Sequence, residues 1–242
     1  MKDEIFYNNI QRALENFPDD FNILEEQIDM EIQIQYFEFV QETRGKTDPA
    51  EIFENSDELF MAKTSLERKK EILAVLSIID DVKAYRAIEK FITLSEGFIK
   101  QWAVLALQES RILLQSSLLD KQQVFISTGL GGKGQKLRYF IVFVNNVKNF
   151  ILSETQQKLL KDELDFELKK SKGEFETIDF YEGFSTALVM LPLKVDIRAI
   201  FKNVIEECNQ YGNFLKPDLI ITNVKIMSKN EIIDLLNKKD NY

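Results

Sequence analysis

The hydrophobic periodicity of this chain changes near Lys121, and that change limits its fold more than any other feature. Before it, apolar residues recur three and four apart, the spacing of one helix face. After it, short apolar runs lie between Gly, Pro, Asn and Asp, as in strands joined by turns. The two periods place side chains differently and cannot share one element. The chain therefore reads as an α+β protein of two domains, an all-α half over 1–119 and an α/β half over 120–242. A length of 242 residues accommodates this at roughly 100–200 residues per domain.

In the first half, Ile5, Phe6, Ile10, Ala13, Leu14 and Phe17 predict a helix that Pro18-Asp19-Asp20 ends. The next stretch carries two patterns. Ile28, Met30, Ile32, Ile34 and Tyr36 alternate with polar residues, a strand signal, while Leu24, Ile28, Ile32, Tyr36 and Val40 form an i, i+4 ladder. The run from Asp20 to Arg44 holds no turn signal and is far longer than a typical strand, so a long helix is expected. Asp48-Pro49 reads as an N-cap followed by Pro at the first helical position. Thr64-Ser65-Leu66-Glu67 reads as a capping box. Two further helices follow, one after Asp80-Asp81 and one after Ser95-Glu96-Gly97.

Leu73 to Leu76, the Asp80-Asp81 pair, Ala84, Ala87-Ile88, Phe91-Ile92, Trp102-Ala103 and Ala106-Leu107 together resemble a HEAT-type repeat over residues 66–116. That resemblance implies helix pairs stacked as a superhelix, with a protein-binding role. Trp102, beside two alanines, is expected in the core.

In the second half, Gln123 to Ser127 and Arg138 to Asn145 read as strands, the latter buried on both faces. Ser153 opens a helix, Glu174 to Leu193 form a hairpin through Glu182-Gly183, and Asp196 caps a helix. Pro217-Asp218 precedes a strand over Leu219 to Ile226, and Ser228-Lys229-Asn230-Glu231 caps the last helix. The β-α-β-β-α-β order over 137–226 resembles the ferredoxin-like split arrangement. An α/β sandwich with an antiparallel or mixed sheet is expected, its strand order open. The strand over 122–128 has no obvious place beside a central first strand.

The chain has no histidine and one cysteine, Cys208, in a helical context. Imidazole-based metal sites, nucleophile pairs and the commonest general base are thereby excluded. No catalytic residue, metal site or cofactor is expected. No disulfide, leader or membrane-spanning run is legible, so a cytoplasmic protein with no membrane partner is expected.

Charge is unevenly spread. Residues 1–62 carry −12 of the total −9, and the remainder carries +3. An acidic surface at Glu25, Glu26, Asp29 and Glu31 would suit a protein partner with a basic surface, and no basic surface dominates to favour nucleic acid. The second candidate site is the glycine-rich segment around Gly131, Gly132, Lys133 and Gly134 with Lys136 and Arg138, whose N–H groups and cations would suit an anion. It lacks the Gly-Lys-Ser/Thr ending and following helix of a P-loop. Base stacking on the sheet is not expected, because Ala187 to Pro192 holds no aromatic residue. The function expected is a non-catalytic protein-interaction or adaptor module. The alternative is a small-molecule or anion-sensing α/β domain, enzymatic or not, regulated by the helical half.

Overall fold

The computed structural model describes residues 21–120 and 123–239. The helix expected over residues 3–17, and its Pro18 stop, lie outside the described residues. The chain divides into two compact units, one ending at Ser127 and the other beginning at Thr128. The α+β fold class holds, with a helical unit and an α/β unit on an antiparallel sheet.

The helical unit comprises β1 (Phe21–Ile23), α1 (Met30–Thr43), α2 (Pro49–Glu54), a 3-10 turn (Ser56–Phe60), α3 (Leu66–Leu76), α4 (Val82–Leu94), α5 (Gly97–Leu119) and β2 (Val124–Ile126). The long helix expected from Asp20 is shorter. Phe21 to Ile23 pair in parallel with Val124 to Ile126, and Leu24 and Ile28 fill the core as irregular chain. The helix starts only where Asp29 can cap it, its carboxylate accepting the Glu31 N–H at 2.8 Å. Within α1 the ladder residues Tyr36 and Val40 are buried and Ile34 is exposed, so the alternation had no structural meaning. The β1–β2 pairing also draws residues 124–126 into the helical unit, beyond the expected division at 119/120. The cap of α3 is Ser65, which accepts from the Arg68 N–H, while Thr64 donates to Glu58 O.

Trp102 sits at the centre of this unit, fully buried. Tyr36, Phe39 and Phe98 surround it at ring-centroid distances of 5.3, 5.5 and 5.6 Å. The Lys70 ammonium lies 4.6 Å from its ring, a cation–π contact. The helix α5 that carries Trp102 packs against α1, α3 and α4. The helices therefore close around one core. In a HEAT array each pair would stack only on its neighbours, so the HEAT-like expectation is corrected.

Glu109 ties the same helices together by polar bonds. The Tyr36 hydroxyl donates to its Oε2 at 2.7 Å, the Ser77 hydroxyl lies 2.8 Å from that oxygen, and Arg44 reaches Oε1 at 3.5 Å. Burial, and then the Glu109 carboxylate, push the Tyr36 pKa well above the usual tyrosine value.

The α/β unit comprises β3 (Gly132–Lys133), β4 (Lys136–Asn145), α6 (Glu154–Lys170), β5 (Glu174–Tyr181), β6 (Phe184–Pro192), α7 (Ile197–Asn209), β7 (Leu215–Thr222) and α8 (Lys229–Lys239). The long strands lie in the order β7-β4-β6-β5, each pair antiparallel, and β3 folds back on the start of β4. The last strand begins four residues earlier than expected and contains Pro217. An edge strand tolerates the missing N–H, and the pairing with β4 is irregular at that point, between Phe143 and Asn145.

Side chains of β4 alternate. Phe143 meets Phe201 of α7 at 6.1 Å, on the face covered by α6 and α7. Phe140 and Val142 join Phe184 and Ile232 in a second cluster on the opposite face, under α8. Cys208 is buried, and burial pushes its thiol up to about 12, which leaves it unreactive.

Two outcomes are expected. A tyrosine with a raised folded-state pKa contributes stability that is in place below its ordinary value near 10 and is lost as pH rises above it. Urea unfolding between pH 8 and pH 11 should show an alkaline loss of stability in the wild type that Tyr36→Phe diminishes. At Gly129, an added Cβ would stand 1.7 Å from Val224 O. Gly129→Ala is expected to lower the unfolding free energy by about 3 kcal/mol, measured by the same method.

Candidate functional site

The glycine-rich segment is built into the sheet. Gly134 has φ +58° and begins the two-residue turn between Lys133 and Lys136, where a glycine is the natural occupant. Gly131 and Gly132 are buried. The Leu130 N–H donates to Asn223 O at 3.0 Å and the Gly131 N–H to Thr128 O at 3.1 Å. Arg138 donates to both carboxylate oxygens of Glu176 at 2.7 and 2.9 Å and to Leu130 O at 2.8 Å. Lys136 pairs with Glu174 at 2.6 Å and holds that carboxylate below its ordinary pKa. Lys133 is exposed at the hairpin. Of the groups that suggested an anion site, the Gly131 N–H and the Lys136 and Arg138 cations are thus engaged within the fold, and Lys133 adds to the positive field on Glu174.

Glu25, Glu26, Asp29 and Glu31 are exposed in the helical unit. Asp29 is occupied as the cap of α1, and Glu31 accepts from Gln35 at 3.4 Å. Among the described residues no cluster of three or more acidic or cysteine side chains is arranged to hold a metal ion. No described helix is long and apolar enough to cross a membrane.

A cleft of about 170 Å³ lies at the other end of β4. Its apolar floor is Val144, Phe184, Ile220 and Leu236, and its rim carries Lys148, Asn149, Glu182, Lys216, Asp218 and Asn237. The local backbone explains why these groups converge. Asn145 ends β4 where the register with β7 breaks, and it is 1% exposed. Its N–H donates to Gly183 O at 2.9 Å and its Nδ2 to Phe150 O at 2.8 Å. Those bonds tie the loop after β4 to the β5–β6 turn. Asn149, at φ +57°, turns the loop back over the cleft, a conformation asparagine tolerates better than most residues. The Asn145 Oδ1 is buried without a hydrogen-bond partner among the described residues, and Asn145 is part of the lining. Such an atom is costly unless a ligand or solvent satisfies it.

A second cavity, of about 160 Å³, opens on the same sheet face and is lined by Thr177, Asp179, Tyr181, Thr186 and Lys229 among others. The Tyr181 and Phe184 rings, 5.3 Å apart, stand one in each lining. With Phe140 they put three aromatic residues on this face, whereas the expectation against base stacking was drawn from Ala187 to Pro192 alone. Phe184 and Tyr181 flank the hairpin turn, outside the Ala187 to Pro192 segment on which that expectation rested. Asn145-Asn146-Val147-Lys148-Asn149, directly after the buried strand, was the available signal for the first cleft. Lys216 and Asp218 had none, because the bulge that presents them exists only in the paired sheet.

Between the cavities lies α8. Ser228 and Glu231 form its capping box, with the Ser228 N–H 2.8 Å from Glu231 Oε2, and Lys225 pairs with the same carboxylate. Lys225, then the Ser228 bonds, bring the Glu231 pKa down to about 2.

No family model matches the chain, and no curated protein matches it. Solved structures do. One is a candidate transposase from Deinococcus radiodurans R1, with 13% identity and a TM-score of 0.35, the match covering 44% of this chain and 90% of that one. Another is the REP-associated tyrosine transposase bound to a REP hairpin, with 12% identity and a TM-score of 0.32, the match covering 43% of this chain and 62% of that one. The latter match thus spans less than two thirds of the neighbour's length. These findings correct three expectations. The non-catalytic adaptor with its sensing alternative, the HEAT-like, ferredoxin-like and protein-binding labels, and the exclusion of nucleic acid all stand against neighbours that are transposases. None is carried forward. The exclusion had rested on overall charge, which says little about a local cluster of cations.

A depressed carboxylate contributes stability that is present above its ordinary value, near 4.5, and lost as pH falls towards about 2. Helical NMR shifts of residues 229–239 are therefore expected to fade as pH is lowered from 5 to 2.5. Glu231→Gln should remove that pH dependence.

Proposed function

We propose that the α/β unit binds single-stranded nucleic acid and seats one base in the cleft at the end of β4. The observation that carries this reading is the composition of that cleft. An apolar floor containing Phe184 suits the face of a flat ring, and base stacking of this kind contributes about 1–3 kcal/mol per base. Asn149 and Asn237, with both donors and acceptors, suit base edges. Lys148 and Lys216 at the rim suit phosphates. A volume of about 170 Å³ admits a ring but no duplex, so the ligand is a single strand or a loop.

Glu182 and Asp218 at the same rim make the site selective. Carboxylates accept from exocyclic amino groups, as on cytosine. Strands rich in cytosine or adenine are favoured over thymine or uracil. Lys133 and Gly134 lie at the opposite end of β4 and take no part in this reading. A cytoplasmic location, where such strands are available, belongs to the same proposal.

Fluorescence anisotropy with labelled oligo-dC, oligo-dA and oligo-dT tests it. Two phosphate contacts give a slope near −1.4 in log affinity against log salt, about a sevenfold loss between 50 and 200 mM. Lys148→Gln with Lys216→Gln should flatten that slope, and oligo-dT should bind most weakly. Absence of binding to every oligonucleotide at low salt overturns the reading, as does binding that the double substitution leaves unchanged.

A further inference from the structure

The helix α8 covers the sheet face on slender support. The cluster beneath it receives Ile232 and Leu236 from α8, residues one turn apart, against Phe140, Val142, Phe184, Leu188 and Ile220 from the sheet. Ile233 and Leu235 of the same helix are 45% and 41% exposed. The opposite face is held differently: α6 buries Leu160, Leu164 and Leu168, and α7 buries Ile200, Phe201, Val204, Ile205 and Cys208. A helix resting on two apolar side chains opens at lower cost than one resting on three or five.

The two cavities are of nearly equal size, about 170 and 160 Å³, and each is bordered by α8. Ile233, Leu236 and Asn237 line the first, and Lys229 and Ile232 line the second. Between them on the sheet stand the paired rings of Phe184 and Tyr181. Their chemistry also repeats. Each has an aromatic ring, a carboxylate and a lysine: Phe184, Glu182 and Lys148 in one, Tyr181, Asp179 and Lys229 in the other.

We infer that the two cavities are the exposed ends of one groove across the sheet face, which takes two consecutive nucleotides of a single strand when α8 lifts. The inference rests on the nucleic-acid reading of the first cleft. Phe184 and Tyr181 each offer a ring face to one base. Lys229, at present 4.0 Å from the Tyr181 ring centroid, is released to a phosphate as the helix moves. The occupant of the face in the closed state is Ile232, whose departure exposes the apolar surface that the bases then cover.

Native-state hydrogen exchange and oligo-dC binding, measured on the full chain and on Ile232→Ala, test this. Amides of α8 are expected to exchange at least about a hundredfold faster than those of β4, because a lid opens without global unfolding. A closed lid lowers apparent affinity by the fraction of molecules that are open, so Ile232→Ala should bind oligo-dC about fivefold more tightly or better. Tyr181→Ala should remove the advantage of a dinucleotide over a mononucleotide. Protection of α8 equal to that of β4 overturns the lid whatever the binding result. An Ile232→Ala variant that binds no better than a wild type that does bind overturns the groove and leaves the single-base reading standing. If α8 opens independently and neither protein binds, the nucleic-acid reading falls and the groove with it.

Discussion

The α/β unit is organised by a strand hydrogen-bonded along both edges. β4 pairs with β6 from Lys136 to Val144 on one side, and with β3 and then β7 on the other. Because both edges are used and both faces are covered, its interior must be apolar throughout, and Tyr139 to Val144 supply that run. Each such side chain contributes about 1.5–3 kcal/mol on burial. With β4 fixed, alternation decides the rest. Phe143 looks to the α6–α7 layer, and Phe140 and Val142 look to the face that α8 covers.

The interruption of that regularity makes the candidate site. Pro217 cannot donate to the ladder, and the β4–β7 register breaks beside it. Lys216 and Asp218 are turned to the rim of the cleft, and Asn145 is left buried with one oxygen unsatisfied. Bulges at strand ends commonly re-aim side chains in this way. The same local defect thus limits the sheet and equips its edge.

The helical unit is held by a different logic, with Trp102 as apolar centre and Glu109 as polar one. Lys70 lies over the faces of Phe39 and Trp102, 5.0 and 4.6 Å from their centroids, and keeps a charge where an apolar side chain would be expected. The acidic character of the first quarter of the chain does not extend to this interior. Among the described residues its carboxylates cap helices, as at Asp29 and Asp48, pair within the unit, as Glu58 does with Arg68, or are exposed, as at Glu26.

Local chemistry determined by itself most of the elements. Caps at Asp48, Asp81, Ser153 and Asp196 and the turn at Glu182-Gly183 lie where the residues place them, because a cap or tight turn is settled within a few residues. The change of period near Lys121 falls between the end of α5 and the start of β2. What only the tertiary structure decided are the long-range pairings. Phe21 to Ile23 became a strand because Val124 to Ile126 came alongside, and the last strand began at Leu215 because β4 offered partners there. The cleft belongs to this second class. Asn145, Glu182 and Lys216 come from separate stretches of chain, and the sheet brings them together only once its register is set.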